Sequence, residues 1–333
     1  MTQTTCSRAA EPTAGPSAPT GYRPGTGTGY RHEAFLWHGL EEFLARTAPF
    51  VAEAVDQQMP IMVAVPEAHG VPLRDALGDR ARSVTFVDMT ELGHNPARII
   101  PAWADFIAAN GAGTRPLRGI GEPIWAGRRD AEVVECQIHE AMLNLAVPTD
   151  TPFWLLCPYE ADALGDEVLE AARRSHPTVI HGAHHGASHT YADEHDPLNL
   201  SRRELTARPA DAHEVRFRSG DLSHVRRTVA RFASEAGLPE RRISDLVLGV
   251  NEVAANSLDH GGGSGVLRAW QERDALVFEV TDSGRLENLL VGRVTPRPAQ
   301  PRGRGLWMVN RLCDLVQIRT APSGTVIRVV TWL

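Results

Sequence analysis

The longest amphipathic pattern in the chain lies between residues 239 and 260. Apolar side chains recur there every three or four positions, which predicts a helix with one buried face. Pro239 fits the first turn of this helix, where a missing N–H costs nothing, and the triple glycine at 261–263 must end it. The apolar positions are Ile243, Leu246, Val247, Val250, Val253, Ala254 and Leu258.

The polar positions of this predicted helix fall on one line. Glu252, Asn256 and the pair Asp259/His260 are spaced so that their side chains share one side of the helix. This set suits a magnesium–nucleotide site, because Mg²⁺ prefers hard oxygen ligands and is often held by one or two protein groups plus phosphates. The alternative is an ordinary amphipathic helix whose solvent face carries a glutamate and an asparagine.

Shorter patterns surround this helix. Residues 221–236 predict a second amphipathic helix, capped by Asp221. Runs rich in β-branched and apolar residues predict strands, and polar turns join them. The predicted strands are residues 213–218, 265–271, 275–281, 315–320 and 325–331.

Two glycine motifs follow these strands. Asp282-Ser283-Gly284 stands at a strand end, where a carboxylate can accept a hydrogen bond from a ligand and glycine lets the backbone approach. Residues 285–302 lack periodicity and contain three prolines, so they predict a long surface loop, and such loops are often lids. The loop ends at Arg302-Gly303-Arg304-Gly305, before an apolar helix. Glycine-rich backbone at a helix start, with two arginines, predicts a phosphate site.

The first half of the chain alternates between apolar strands and amphipathic helices. This alternation, without hairpin spacing, predicts an α/β fold with a parallel sheet covered on both faces. The predicted strands are residues 60–66, 84–88, 117–123 and 152–159. The predicted helices are residues 38–58, 75–77, 96–110, 131–145 and 161–174.

Two polar sets in this half are candidates for ligand binding. Parallel sheets bind ligands at the carboxyl ends of their strands. The alternative is that both sets are ordinary polar residues of the edge and surface. No phosphate-binding GxxxxGK[ST] motif occurs, so a nucleotide is not predicted here. The strand-end set is Glu67, Asp88, Met89, Glu122, Tyr159 and Glu160, with Trp125 and Arg128 close behind. The helical set is Glu135, His139, Glu140 and Asn144.

Composition excludes several classes of protein. The formal net charge of −7 and pI of about 6.1 give no electrostatic case for nucleic acid or an anionic membrane as the main partner. All 34 basic residues are arginine, which excludes a P-loop lysine and a lysine Schiff base. Four widely spaced cysteines favour reduced thiols in a cytoplasm over a zinc or disulfide framework. No apolar run approaches the roughly 20 residues of a membrane helix.

The composition of two segments predicts that they have little fixed structure. Residues 1–30 are rich in Thr, Pro, Gly and Ser and lack the apolar core of a signal peptide, so we expect a disordered leader. A histidine-rich run follows the first half of the chain. His181 and His185 could bind a metal if helical, but Gly182 and Gly186 argue against a helix, so the run is interpreted as a flexible linker. Its histidines are His176, His181, His184, His185, His189 and His195.

Residues 210–333 resemble the GHKL ATPases, most closely the anti-sigma-factor serine kinases. The sequence motifs at residues 251–261 and 302–314 are the basis of the resemblance. It implies a two-layer α/β sandwich of the Bergerat type that binds ATP and Mg²⁺. The Asp-x-Gly-x-Gly pattern is broken, because Leu286 stands where the second glycine would be.

The resemblance also implies roles for individual residues. Glu252 would be the catalytic base, Asn256 the Mg²⁺ ligand, and Asp282 the acceptor of the adenine amine. The remaining nucleotide-binding residues would be His260, Gly284, Arg302, Gly303, Arg304, Gly305 and Thr325.

Residues 32–185 resemble the MEDS sensory domain, a RecA-like α/β module without a P-loop. The phrases at 119–125, 138–144 and 155–159 carry this resemblance. It implies a sensor of an unidentified small-molecule signal. The predicted domains are therefore residues 31–185 and 211–333, joined by a linker at 186–210.

Three functions are compatible with the sequence. The first is an ATP-dependent serine/threonine kinase and anti-sigma regulator, whose partners would be a sigma factor and an antagonist protein, and which would commonly be a dimer. The second is a binding module switched by ATP without phosphotransfer. The third is a histidine kinase, but His213 opens a strand and His224 lies on a single helix without the expected dimerising hairpin.

Overall fold

The computed structural model describes residues 29–111, 115–192, 199, 202–296 and 303–333. Among these residues, seven strands form one sheet in the N-terminal half and five form a second sheet in the C-terminal half. Within the same ranges, no helix has both the length and the apolar character needed to cross a membrane. Nearly all of the predicted leader, with Cys6, lies outside the described residues, as does His195.

Strands and helices alternate along the N-terminal half, as predicted. The strands are β1 (Arg31–Trp37), β2 (Ile61–Val65), β3 (Thr85–Asp88), β4 (Leu117–Gly121), β5 (Phe153–Glu160), β6 (Thr178–His181) and β7 (His184–Ala187). The helices are α1 (Gly39–Asp56), α2 (Glu67–Leu77), α3 (Met89–Leu92), α4 (Ile99–Ala109), α5 (Asp130–Ala146) and α6 (Asp166–Ser175). The strand order is β3-β2-β4-β5-β1-β6-β7, and all pairs are parallel except the β6–β7 hairpin.

This sheet is buried on both faces, which explains why an inner strand such as β2, with the sequence IMVAV, is a continuous apolar run. Leu36 lies in the core cluster of one face with Trp103 of α4, and Phe35 lies in the cluster of the other face with Phe43 of α1. Gly119 of β4 leaves room for the indole, because a Cβ there would lie 2.8 Å from Trp103.

Three N-terminal expectations need correction. Strand β1 was not predicted, although it lies between β5 and β6 inside the sheet. Strand β3 is not a buried strand, because it is at the sheet edge and Thr85 is exposed. The first part of the histidine run is not a linker, because residues 178–187 form the β6–β7 hairpin and His176 is fully buried.

The C-terminal half is a two-layer α/β sandwich, as the sequence predicted. Its strands are β8 (His213–Arg218), β9 (Ser264–Gln271), β10 (Ala275–Asp282), β11 (Leu315–Ala321) and β12 (Gly324–Trp332). Its helices are α7 (Leu222–Glu235), α8 (Glu240–His260) and α9 (Gly305–Leu312). The sheet is antiparallel in the order β11-β12-β10-β9-β8, and the apolar sides of the helices share one core with it. Asp221 precedes α7 but its side chain accepts from the Arg218 N–H, so the predicted side-chain cap is wrong.

The two halves contact each other through polar groups, most of which are buried. Glu135 of α5 accepts hydrogen bonds from Arg319 at 2.8 Å and from Arg293 at 3.3 Å, and all three side chains are buried. Asn95, 1% exposed, donates to the Cys313 carbonyl at 3.3 Å, and His94 pairs with Asp314 at 2.9 Å. The halves are therefore joined by specific contacts and not only by the connecting segment.

Candidate functional site

The polar line of α8 faces the first turn of α9. Glu252 and Asn256 are half-buried there. A Cβ at Gly305 would lie 3.1 Å from Glu252 Oε2 and 3.3 Å from Asn256 Nδ2. The two polar side chains can approach α9 this closely only because position 305 has no side chain. The side chain of Arg304, at the N-cap position of α9, makes no capping hydrogen bond, so among the described residues it leaves the first N–H groups to a ligand.

Asp282 ends β10 beside the end of α8. Its Oδ2 accepts from Ser257 Oγ at 2.6 Å, and its Oδ1 accepts from the Gly284 N–H at 2.8 Å. Gly261 is the close neighbour, since a Cβ there would lie 2.4 Å from the Asp282 carboxyl carbon. The carboxylate is therefore fixed by two hydrogen bonds, and each oxygen keeps a lone pair for a further donor.

A cavity of about 370 Å³ opens between these elements. Leu286 also lines it and donates its N–H to Thr320 Oγ1 at 3.2 Å. Glu252, one helical turn before Asn256, is not among the described residues that line the cavity. Arg304 is exposed beside Gly305, and Arg302 lies outside the described residues. The predicted residues that line the cavity are Asn256, His260, Asp282, Gly284, Gly303, Gly305 and Thr325.

Comparison with known proteins matches the two halves separately. The profile of the MEDS family, the MEthanogen/methylotroph, DcmR Sensory domain, matches residues 31–177. The profile of the histidine kinase-like ATPase domain matches residues 215–331. The chain carries a MEDS domain followed by a histidine kinase-like ATPase domain. A sensory domain joined to a kinase-like ATPase domain makes the protein a signal-transduction regulator, and the ATPase match implies ATP binding.

One solved structure among those that match is the crystal structure of the RsbU and RsbW domains of Rv1364c from Mycobacterium tuberculosis. The sequence identity is 18% and the TM-score is 0.27. The match covers 36% of this chain and 32% of that chain, so it spans about a third of each protein. No curated protein matches the chain.

The residues around the cavity of the ATPase domain fit a magnesium nucleotide. Gly305 leaves a cradle beside the helix start that a side chain would fill. Asp282 offers carboxylate lone pairs to an amine, and Asn256 offers one hard oxygen, which is the type of ligand that Mg²⁺ prefers. Glu252 does not line the cavity itself, but its Oε2 lies 3.1 Å from the place that a Cβ on the lining residue Gly305 would take. Donors for phosphate, an acceptor for a base and an oxygen for a cation therefore line one cavity.

The described part of the predicted lid contacts the MEDS domain. Leu289 and Leu290 pack against the MEDS core, while Val291 packs against the ATPase core. Arg293, 4% exposed, pairs with Glu135 of α5. The segment that borders the nucleotide cavity is therefore also a part of the contact between the domains.

The strand-end set of the MEDS domain is not one open site. Met89 and Tyr159 are buried in the core, whereas Glu67 pairs with Arg74 and Asp88 accepts from the Thr90 N–H. Glu160 is half-buried, and the buried Arg128 guanidinium stacks 4.3 Å from the Trp125 ring centroid.

Glu122 is fully buried and accepts from His69 at 2.8 Å. Burial raises the pKa of the Glu122 carboxyl to about 7, although the hydrogen bond from His69 opposes this shift. Glu122 is thus the one member of the set that combines a buried carboxyl with a titratable partner.

Sequence reasoning missed some residues that shape the ATP site. The sequence pattern assigns no role to Ser257, yet its hydroxyl donates a hydrogen bond to Asp282. The same pattern predicts only that Gly261 ends the helix, yet this glycine also lets Asp282 approach. The signal was available, because both residues stand within the phrase 251–261 and beside the polar line of α8.

Proposed function

We propose that the protein is an ATP-dependent serine/threonine kinase of the anti-sigma-factor type, controlled by its MEDS domain. The observation that carries the proposal is the placement of Glu252 and Asn256 on successive turns of α8, both facing Gly305 at the start of α9. A carboxylate beside a magnesium ligand and a phosphate seat is the arrangement that phosphoryl transfer to a hydroxyl requires.

Each residue has a role in this proposal. ATP would supply the phosphoryl group and Mg²⁺ would neutralise its charge. Asn256 Oδ1 would hold the ion, Asp282 would accept a hydrogen bond from the adenine amine, and Gly303 and Gly305 would let backbone N–H groups reach the phosphates. Glu252 accepts the proton that leaves the serine hydroxyl of the substrate protein.

The proposed partners are a sigma factor and an antagonist protein that carries the phosphorylated serine. The MEDS domain would receive a small-molecule signal and pass it to the lid through the contacts of Leu289, Leu290 and Arg293. These contacts support control of nucleotide access by the sensor.

The same contacts favour a second candidate, a module that ATP switches without phosphotransfer. Leu286 occupies a position in the cavity wall that glycine would leave open. In that case nucleotide would alter the contact between the domains and thereby the binding of a partner.

Calorimetric titration with ATP, with and without Mg²⁺, tests the nucleotide site. We expect magnesium-dependent binding in the wild type and its loss in Asn256→Ala. Asn251→Ala is the matched control, because Asn251 lies on the same helix but accepts from Arg226 at 2.9 Å. If Asn256→Ala bound ATP and Mg²⁺ as tightly as Asn251→Ala, Asn256 would not be a magnesium ligand.

Labelled ATP then separates the two candidates. A kinase would transfer label to a protein of its own cell extract in an acid-stable, alkali-labile form, and Glu252→Gln would abolish transfer while still binding ATP. Binding without any transfer would support the switched module. Label that is acid-labile and alkali-stable would instead indicate phosphohistidine.

A further inference from the structure

Four metal-ligating side chains meet in the interior of the MEDS domain. They are His32 of β1, Glu140 of α5, Cys157 of β5 and His176, which lies between α6 and β6. One ligand atom from each lies within 4.8 Å of all the others, and each residue is at most 3% exposed. Because the four come from separate elements, the fold and not a local motif creates this cluster.

The protonation of His176 is fixed by its neighbour. Its Nδ1 lies 2.7 Å from the Ala172 carbonyl oxygen, which can only accept. Nδ1 therefore carries the hydrogen, and Nε2 of the neutral ring carries a lone pair. That Nε2 lies 3.4 Å from Glu140 Oε2 and has no hydrogen-bond partner among the described residues.

The same reasoning fixes His32. Asn144 donates from Nδ2 to the Ser175 carbonyl at 2.7 Å, so its Oδ1 must be the atom that faces His32. His32 Nδ1 lies 3.0 Å from that oxygen and donates to it. Its Nε2 lone pair then points to Glu140 Oε2 at 3.0 Å and to Cys157 Sγ at 3.4 Å.

The neutral cluster thus lacks positive charge at its centre. Two imidazole lone pairs face one carboxylate, and the Cys157 thiol is the only one of the four groups with a hydrogen to offer. Protonating both rings would set two positive charges against one carboxylate and leave a net positive charge in a dry interior. A divalent cation would instead satisfy every lone pair at once.

We propose that His32, Glu140, Cys157 and His176 bind one divalent metal ion of the zinc class. Two neutral imidazoles, one carboxylate and one thiolate balance a charge of +2, and binding releases the thiol proton of Cys157. Tetrahedral bonds of about 2.0–2.3 Å place ligand atoms roughly 3.3–3.8 Å apart, close to the separations of 3.0 and 3.4 Å found here. The Nδ1–H groups, each held by an oxygen acceptor, supply the orientation that metal-binding histidines require.

Four protein ligands leave no open position, so the site is structural or regulatory and not catalytic. It ties β1 and β5 to α5 and to the end of α6. The inference concerns the MEDS domain alone and does not depend on ATP binding by the other domain.

Metal analysis and cobalt substitution of the full-length protein, without a histidine tag, test the proposal. We expect about one equivalent of metal after loading with Zn²⁺ and dialysis. We also expect Co²⁺ to give the absorption of a tetrahedral cobalt thiolate. Cys157→Ser should lose this thiolate absorption and at least about tenfold in metal affinity. Cys136→Ser is the matched control, because Cys136 is equally buried but donates to the Pro123 carbonyl outside the cluster.

Two complications of this experiment are metal binding by exposed histidines and a variant that does not fold. The exposed histidines His181, His184 and His185 can hold metal adventitiously, but they would give no thiolate absorption. If Cys157→Ser does not fold, His176→Asn and the cobalt spectrum of the wild type carry the test. A folded wild type that takes up no Co²⁺ with thiolate absorption would overturn the proposal.

Discussion

The ATPase domain and the MEDS domain handle their polar groups in opposite ways. Glu252, Asn256 and Asp282 are half-buried, and Asn256 and Asp282 line a cavity that a ligand can enter. In the MEDS domain, Glu122, Glu135 and Glu140 are buried and depend on protein partners. We therefore expect substitutions of the ATPase residues to weaken ligand binding with little effect on folding. Substitutions of the buried MEDS glutamates should instead lower the free energy of unfolding.

The largest expected effect follows from removing Glu135. Glu135→Ala leaves Arg293 and Arg319 buried without their carboxylate, so we expect a loss of roughly 3–5 kcal/mol in the free energy of unfolding. Denaturant titration of the full-length protein measures it. The control is Glu170→Ala, which breaks an exposed pair with Arg173 and should cost below about 1 kcal/mol. If both variants lost the same free energy of unfolding, the buried glutamate would be no more important for stability than an exposed one.

A pH-dependent effect is expected at Glu122. Its pKa is about 7 in the native state against 4.5 for an unperturbed carboxyl. Between these values the native state keeps a proton that the unfolded state has released, so the stabilising contribution is complete at low pH and is lost as the pH rises to about 7.

Glu122→Gln stays neutral and removes this loss. The free energy of unfolding of the variant, relative to wild type, should therefore rise by up to roughly 3 kcal/mol from about pH 4.5 to about pH 7.5. Denaturant titrations across that range measure the difference, with the exposed Glu91→Gln as control. A difference that does not change with pH would mean that Glu122 is ionised throughout.

An intermediate effect is expected at Gly261. A Cβ there would meet the Asp282 carboxyl carbon at 2.4 Å and the Ser257 carbonyl oxygen at 2.6 Å, so Gly261→Ala should cost roughly 1–3 kcal/mol and weaken ATP binding. Gly165→Ala is the matched control, because a Cβ at Gly165 meets nothing within 4 Å. Thermal unfolding and ATP titration of both variants provide the readouts. Unchanged ATP affinity in Gly261→Ala would show that Asp282 can shift without loss.

The smallest effect on stability is expected at Asn256. Asn256→Ala should change the free energy of unfolding by less than about 0.5 kcal/mol while it lowers magnesium-dependent ATP affinity at least about tenfold. Denaturant titration beside calorimetry measures both quantities. A large loss of stability would place Asn256 among the structural polar groups and so contradict the comparison between the domains.

The sequence predicted the ATPase domain well because its site is local. Glu252 and Asn256 lie on one helix, and the apolar spacing of that helix defines which way its polar line faces. Asp282 and Gly305 stand at ends of elements whose glycines mark the boundaries. Only the contribution of Ser257 and the close approach of Gly261 required coordinates, because both depend on the angle between α8 and β10.

The MEDS domain was predicted less well because its key contacts are distant in sequence. Strand β1 begins with the polar residues Arg31, His32 and Glu33, which hide the fact that it lies inside the sheet. The widely spaced cysteines argued against a zinc framework, yet Cys157 meets two histidines that are 125 and 19 positions away in the chain. No spacing rule covers a ligand set drawn from four separate elements.

Helix α5 carries residues that contact both the ATPase domain and the interior of the sensor. Glu135 reaches the ATPase domain, and Glu140, five positions later in the same helix, reaches the interior of the sensor, about 7.5 Å further along the axis. If the placement of α5 differs between signalling states, thermodynamic linkage makes the coupling reciprocal. A nucleotide that draws the lid away from Glu135 would then change the sensor's affinity for its signal. The signal, in turn, would change the affinity for the nucleotide by the same factor.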